Sequence, residues 1–136
     1  MENHPQVWVV DDDEDDQYFI CEVFRRLLPP VIVKSFYDGS TVLSSLGEAP
    51  LLPRLILLDL NMPLVNGFEV LRQIRAVLAY RDLPIIIFTT SADSVDQKRA
   101  IELGATSSLT KPPRYGELCA LIKQLATEWK ITYSPE

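Results

Sequence analysis

Four short apolar runs set the tightest limit on what this chain can become. They are Val7-Trp8-Val9-Val10, Val31-Ile32-Val33, Leu55-Ile56-Leu57-Leu58 and Ile85-Ile86-Ile87-Phe88, with a weaker fifth at Ser107-Ser108-Leu109-Thr110. None alternates polar with apolar, so each is expected to be buried on both faces, as in a parallel sheet covered on two sides. Between them the apolar period lengthens to that of a helix. Ile20, Phe24, Leu27 and Leu28 share one face, and Leu71, Ile74 and Leu78 share another. Leu118, Leu121, Ile122, Leu125 and Trp129 make the cleanest stripe. A thinner one, Val95, Ala100, Ile101 and Leu103, predicts a helix over about 92–103.

Punctuation agrees. Pro29-Pro30 stops the first helix and Asp38-Gly39 turns the chain after the second strand. Gly104 stands where a helix C-cap belongs, and Pro112-Pro113 can open the last helix. The order is (βα) five times over. Right-handed crossovers make that an α/β, three-layer, doubly wound fold of flavodoxin type, with a five-stranded parallel sheet. Such sheets carry their sites beyond the C-terminal ends of the strands.

Size and charge narrow the function. The 136 residues predict one domain, with a core over about 6–130 and a short tail over 131–136. The net charge of −6 has the wrong sign for binding driven by phosphate neutralisation, so no nucleic-acid partner is expected. Cys21 and Cys119 are too few and too far apart for a disulfide framework and read as buried thiols of a reducing compartment. The first residues lack the basic and apolar regions of a secretion signal, and His4 reads as a tail residue. No apolar run approaches the ~18 residues that span a bilayer. A soluble, cytoplasmic protein with no membrane partner is expected.

The strand ends carry the chemistry. Strand one ends in Asp11-Asp12-Asp13-Glu14-Asp15-Asp16, strand three in Asp59-Leu60-Asn61-Met62-Pro63, strand four in Thr89-Thr90-Ser91 and strand five in Thr110-Lys111-Pro112-Pro113. Part of the acidic run, Asp13 to Asp16, is explained by helix capping and dipole compensation alone. Asp11, Asp12 and Asp59 are not, because neighbouring strand ends bring them into one pocket. Like charges so close raise a pKa or recruit a cation, and oxygen ligands suit Mg²⁺. With Mg²⁺ and Lys111 the formal charges −3 + 2 + 1 cancel. Such a pocket suits phosphoryl transfer to a carboxylate, with Asp59 as nucleophile and with Lys111 and the Thr89 hydroxyl on the phosphoryl oxygens.

At this point the sequence resembles the response-regulator receiver domain of two-component signalling, over about residues 6–130. The resemblance rests on Val9-Val10-Asp11-Asp12, on Leu57-Leu58-Asp59-Leu60-Asn61-Met62-Pro63 followed by Gly67, on Ile87-Phe88-Thr89-Thr90-Ser91, and on Gly104-Ala105 leading to Lys111-Pro112. It implies that Asp59 accepts a phosphoryl group from a sensor histidine kinase. It further implies that Asp12 binds Mg²⁺ directly, that Asp11 acts mainly through water, and that the Asn61 backbone carbonyl completes the metal site. Thr89 resembles the switch hydroxyl, Thr90 the small gate residue and Lys111 the phosphate-pairing lysine, with the Lys111-Pro112 bond expected to be cis. The family usually carries Tyr or Phe three residues before the lysine, and this chain has Ser108, so weak coupling of phosphorylation to the fourth helix is expected. Asn66 stands where Asp is commoner and is expected to tolerate a left-handed turn.

With only three residues after Tyr133, the resemblance is to a stand-alone, CheY-like receiver that is not a conventional enzyme. It would signal to a downstream protein target or phosphotransfer protein through the surface of the fourth and fifth helices. The wording of its motifs looks like that of small receivers paired with phytochrome-type and other hybrid kinases. Three alternatives fit less well. A haloacid-dehalogenase-type phosphatase leaves Asp59 unexplained. A flavodoxin-type carrier needs a phosphate loop where this chain has a run of acids. A receiver that has lost phosphorylation would not keep every chemical residue.

Overall fold

The computed structural model describes residues 4–91 and 93–131. Five parallel strands, β1 (Gln6–Val10), β2 (Ile32–Phe36), β3 (Leu55–Leu58), β4 (Ile85–Thr89) and β5 (Ser107–Thr110), form one sheet in the order β2-β1-β3-β4-β5. Helices α1 (Glu14–Leu27) and α5 (Tyr115–Glu128) cover one face, where Ile20, Val23 and Phe24 meet Leu118, Ile122 and Leu125 over Val7, Val9, Leu57 and Phe88. Helices α2 (Val42–Glu48), α3 (Gly67–Arg75) and α4 (Ser94–Glu102) cover the other, where Val42, Leu46, Val70, Leu71, Ile74 and Ala100 pack on Trp8, Val10, Leu58 and Ile87. The expected three-layer α/β architecture is the observed one.

Burial on both faces holds only for the central strands. β1, β3 and β4 are apolar and buried almost throughout, whereas β2 and β5 are edge strands. The second apolar run therefore sits one residue early: β2 starts at Ile32, which is half exposed, and runs on through Lys34 to Phe36. An edge strand packs fewer neighbours, so its sequence is freer to carry polar residues. Two helical stripes are also corrected. Leu78 leaves the α3 face and is exposed on a separate 3-10 turn, Leu78–Tyr80. On α4 only Ala100 is buried, while Val95 and Ile101 face solvent; Ala92 lies outside the described residues. Cys21 and Cys119, expected to be buried, are each partly exposed.

Side chains fasten the connections. Asp13 caps α1 by accepting from the Asp15 and Asp16 amides, Asn66 caps α3 and Asp93 caps α4. Asn66 is extended, and the left-handed residue in that loop is Leu64 (φ 65°), which is also fully exposed. Gly104, with φ 106°, ends α4 as expected. Pro112 and Pro113 precede the last helix instead of opening it, since Arg114 stands at its N-cap. Arg75 donates to the carbonyls of Gly104, Tyr80 and Leu83, joining α3, the 3-10 turn and the end of α4. Gln17, buried in α1, donates to the carbonyls of Val9, Asp11 and Phe36. That single amide ties the end of β1 to the end of β2.

Gly67 permits a close backbone approach. A Cβ there would lie 2.2 Å from the Asp59 carbonyl oxygen and 2.7 Å from the Leu60 Cα, both rigid backbone. We expect Gly67→Ala to lower stability by about 1–3 kcal/mol, the range for overpacking a tight site, in a urea titration. Gly47→Ala is the control, because a Cβ at that helical position meets no atom within 4 Å.

Candidate phosphoacceptor site

The strand order places the ends of β1 and β3 side by side, so Asp11 and Asp59 emerge as neighbours. Both are buried, at 2% and 6% exposure, while Asp12 beside them is more open. One carboxylate oxygen from each of Asp11, Asp12 and Asp59 lies within 4.8 Å of the others, close enough to ligate a single cation. The three acids named from the sequence do converge. Local hydrogen bonds orient two of them: the Asp13 amide donates to Asp11 Oδ1 at 2.9 Å, and the Asn61 amide approaches Asp59 Oδ1 at 3.4 Å.

Lys111 enters from β5, where its amide donates to the Thr89 carbonyl at 2.7 Å. Its ammonium, 8% exposed, lies 2.5 Å from Asp11 Oδ2, 2.8 Å from Asp16 Oδ2 and 3.5 Å from Asp59 Oδ2. Burial opposes its charge, but the hydrogen bonds to Asp11 and Asp16 and the charges of Asp11 and Asp59 outweigh burial and raise its pKa above the ordinary lysine value. Asp11 shows the opposite balance. Burial dominates there, and despite the Lys111 hydrogen bond its pKa is raised to about 6.

Asp16 was hidden in the sequence. It stood in a run of acids that helix capping already explained, and Asp13 alone does the capping. The only available signal was its place on the first turn of α1, facing the strand-five lysine. Its carboxylate also shifts the charge sum: with Asp16 counted, Mg²⁺ and Lys111 leave −1 instead of zero. The Lys111-Pro112 bond was expected to be cis, yet no described peptide bond is. The trans form is the lower-energy isomer for X–Pro, and with it the lysine already reaches the acids.

Thr89 is fully buried at the end of β4, and its Oγ1 accepts from the Ser91 amide at 3.3 Å. Thr90 beyond it is exposed. Ser108 lies beside Ile87 on β5, and its hydroxyl is buried with no hydrogen-bond partner. On the facing helix, Gln97 reaches the Ser91 carbonyl at 3.3 Å and Thr110 Oγ1 at 3.4 Å. A small serine thus stands where the resemblance led one to expect an aromatic ring.

The model of the response regulator receiver domain family matches residues 7–123. The chain belongs to that family. Among the receiver's curated relatives, a probable methanogenesis regulatory protein, FilR2, from Methanothrix harundinacea is 32% identical over 90% of this chain and 82% of its own length. The transcriptional regulatory protein PrrA of Mycobacterium tuberculosis is 34% identical over 89% of this chain but only 49% of its own length. The chain likewise spans about half the length of the transcriptional regulatory proteins BaeR, CpxR homolog and CreB that it matches. Among solved structures, the phosphorylated cyanobacterial phytochrome response regulator RcpA superposes with a TM-score of 0.87 at 26% identity, covering 98% of this chain and all of its own. The response regulator RPA3017, in red light signaling of R. palustris, gives 0.82 at 30% identity over 96% of each chain. The Mn²⁺-bound form of Rcp1 gives 0.82 at 26% identity over 96% of this chain.

The raised Asp11 pKa fixes a pH dependence for the metal-free receiver. The folded state holds the Asp11 proton up to about 6, whereas the unfolded chain releases it near 3.8. Asp11 therefore contributes stability at low pH that is lost as pH rises between those values. The loss is about 3 kcal/mol, on the scale of 1.36 kcal/mol per pK unit. We expect Asp11→Asn to flatten that part of the stability curve, measured by chemical denaturation from pH 4 to pH 7 with chelator present.

Proposed function

We propose that Asp59 is the phosphorylated residue of this receiver and that Mg²⁺ is its metal. The observation that carries this reading is the placement of Asp59, buried at the end of β3, beside two further acids and 3.5 Å from the Lys111 ammonium. Asp11, Asp12, Asp59 and the Asn61 backbone carbonyl would hold the metal; three carboxylates and a carbonyl are the hard oxygen donors that Mg²⁺ selects. Bound there, the metal supplies charge neutralisation between the carboxylates and the incoming phosphoryl oxygens.

The chain's own groups do the rest. An Asp59 oxygen attacks the phosphorus of a phosphohistidine, the new O–P bond forming as the P–N bond to the departing imidazole breaks. Lys111 meets the charge gathering on the phosphoryl oxygens, and burial of the pocket makes that pairing stronger than it would be in water. Thr89 Oγ1 would leave the Ser91 amide to donate to a phosphoryl oxygen, which draws the strand-four loop with it. The donor is a histidine kinase, and the resemblance to phytochrome-associated receivers favours one of phytochrome type. The receiver then acts on a downstream protein or passes the phosphoryl group onward.

Intact-mass measurement with a small acyl-phosphate donor and Mg²⁺ should show one added phosphoryl group on the wild type and none on Asp59→Asn. Equal labelling of the variant would falsify the assignment. Mg²⁺ should stabilise the wild type by about 2.7 kcal/mol at one hundred times its Kd, and leave Asp12→Ala nearly unchanged. Because Ser108 offers no ring to reorient, phosphorylation should move amide resonances over 94–103 far less than those over 89–91, as read by two-dimensional NMR.

A further inference from the structure

We propose that Asp16 is a positioning residue for Lys111, holding the ammonium beside Asp59 once a divalent cation has claimed Asp11. An ammonium has three donors. In this pocket Asp11 and Asp16 take the two short contacts, at 2.5 and 2.8 Å, and Asp59 at 3.5 Å is left the loosest of the three. Asp11 also belongs to the cluster of acids whose oxygens converge for a cation, and Asp16 does not. A cation there draws on the same carboxylate charge that now holds Lys111, so the Asp11 contact weakens when the cation binds. Asp16 is then the one strong anchor outside the metal's reach.

The surroundings make that anchor matter. Lys111 also borders a cleft between α1 and α5 lined by Phe19, Ile20, Phe88, Pro112 and Leu118, and Asp16 carries the only carboxylate among its lining residues. Asp16 is fixed in turn, since its backbone amide donates to the capping carboxylate of Asp13 at 3.0 Å. With its side chain 35% exposed, it reaches solvent yet lies near enough to hold a nearly buried lysine. Lys111 is thereby kept with one donor available for a phosphoryl oxygen, without a search when the donor protein arrives.

The consequence for transfer rests on the phosphoacceptor reading, but the positioning itself does not. The full chain, as wild type, Asp16→Ala and Asp16→Glu, is labelled briefly with an amine-reactive anhydride, with and without saturating Mg²⁺. Modification of Lys111 is read by peptide mass spectrometry, with Lys98 and Lys123 as internal references. In Mg²⁺ the wild-type lysine should stay protected, Asp16→Ala should label at least threefold faster at Lys111 with the references unchanged, and Asp16→Glu should restore protection. Equal Lys111 protection in wild type and Asp16→Ala with Mg²⁺ overturns the proposal. So does a rise at the reference lysines in Asp16→Ala that Asp16→Glu fails to reverse, because the role is then structural. In a parallel acyl-phosphate assay, Asp16→Ala should be phosphorylated about tenfold more slowly, the loss of one charge-assisted contact. A wild type that takes up no phosphoryl group would refute the phosphoacceptor reading, while the labelling rates would still decide the positioning role.

Discussion

Everything at the C-terminal edge of this sheet depends on one buried ammonium. Parallel strands bring Asp11 and Asp59 together with most of their surface removed from water, and unpaired carboxylates in that position would be costly. Lys111 answers both, and Asp16 as well, from a strand two places away from β3 in chain order and in the sheet. The pairing is not between equals. The lysine stays charged more firmly than in water, while Asp11 is pushed toward its neutral form. A divalent cation held by these acids would relieve the one that is most reluctant to ionise.

The fold serves that pocket by fixing backbone. Gln17 gathers three carbonyls at the ends of β1 and β2, so α1 is tied directly to the Asp11 backbone. Gly67 lets the start of α3 press against the Asp59 carbonyl, which fixes the backbone that carries the Asp59 carboxylate. Neither residue carries chemistry. Both determine how little the chemical residues can wander, and about half an ångström of slack at such a site is costly.

Much of this was legible in the sequence because it depends on short-range rules. Uninterrupted apolar runs marked the central strands, and the switch to a helical period marked α1 and α5. The rule that sites lie at strand ends led directly to Asp11, Asp12, Asp59, Thr89 and Lys111. What the sequence concealed depends on neighbours far along the chain. Whether Ile32 or Val95 is covered is decided by sheet position and by helix placement, which local pattern does not encode. Asp16 was masked by the acids before it, since a run of like residues gives no periodicity from which to pick out the one that pairs. Asn66 stayed extended because a capping bond to the Glu69 amide outweighed its turn preference, and the left-handed position fell to Leu64.

Helix α4 is held unequally at its two ends. Beyond its last turn, Arg75 grips the Gly104 carbonyl at 2.8 Å and adds two further bonds to the turn before β4. Across its face to the sheet, only Ala100 is buried, and Gln97 spans to Ser91 and Thr110 through contacts of 3.3 and 3.4 Å. A rod clamped at one end and lightly tethered near the other is a lever with its pivot at Gly104. A loop movement at Ser91 that leaves the Gln97 contact intact is absorbed in that long tether, so the Ser94 end stays close to the sheet while Arg75 keeps the Glu102 end in place.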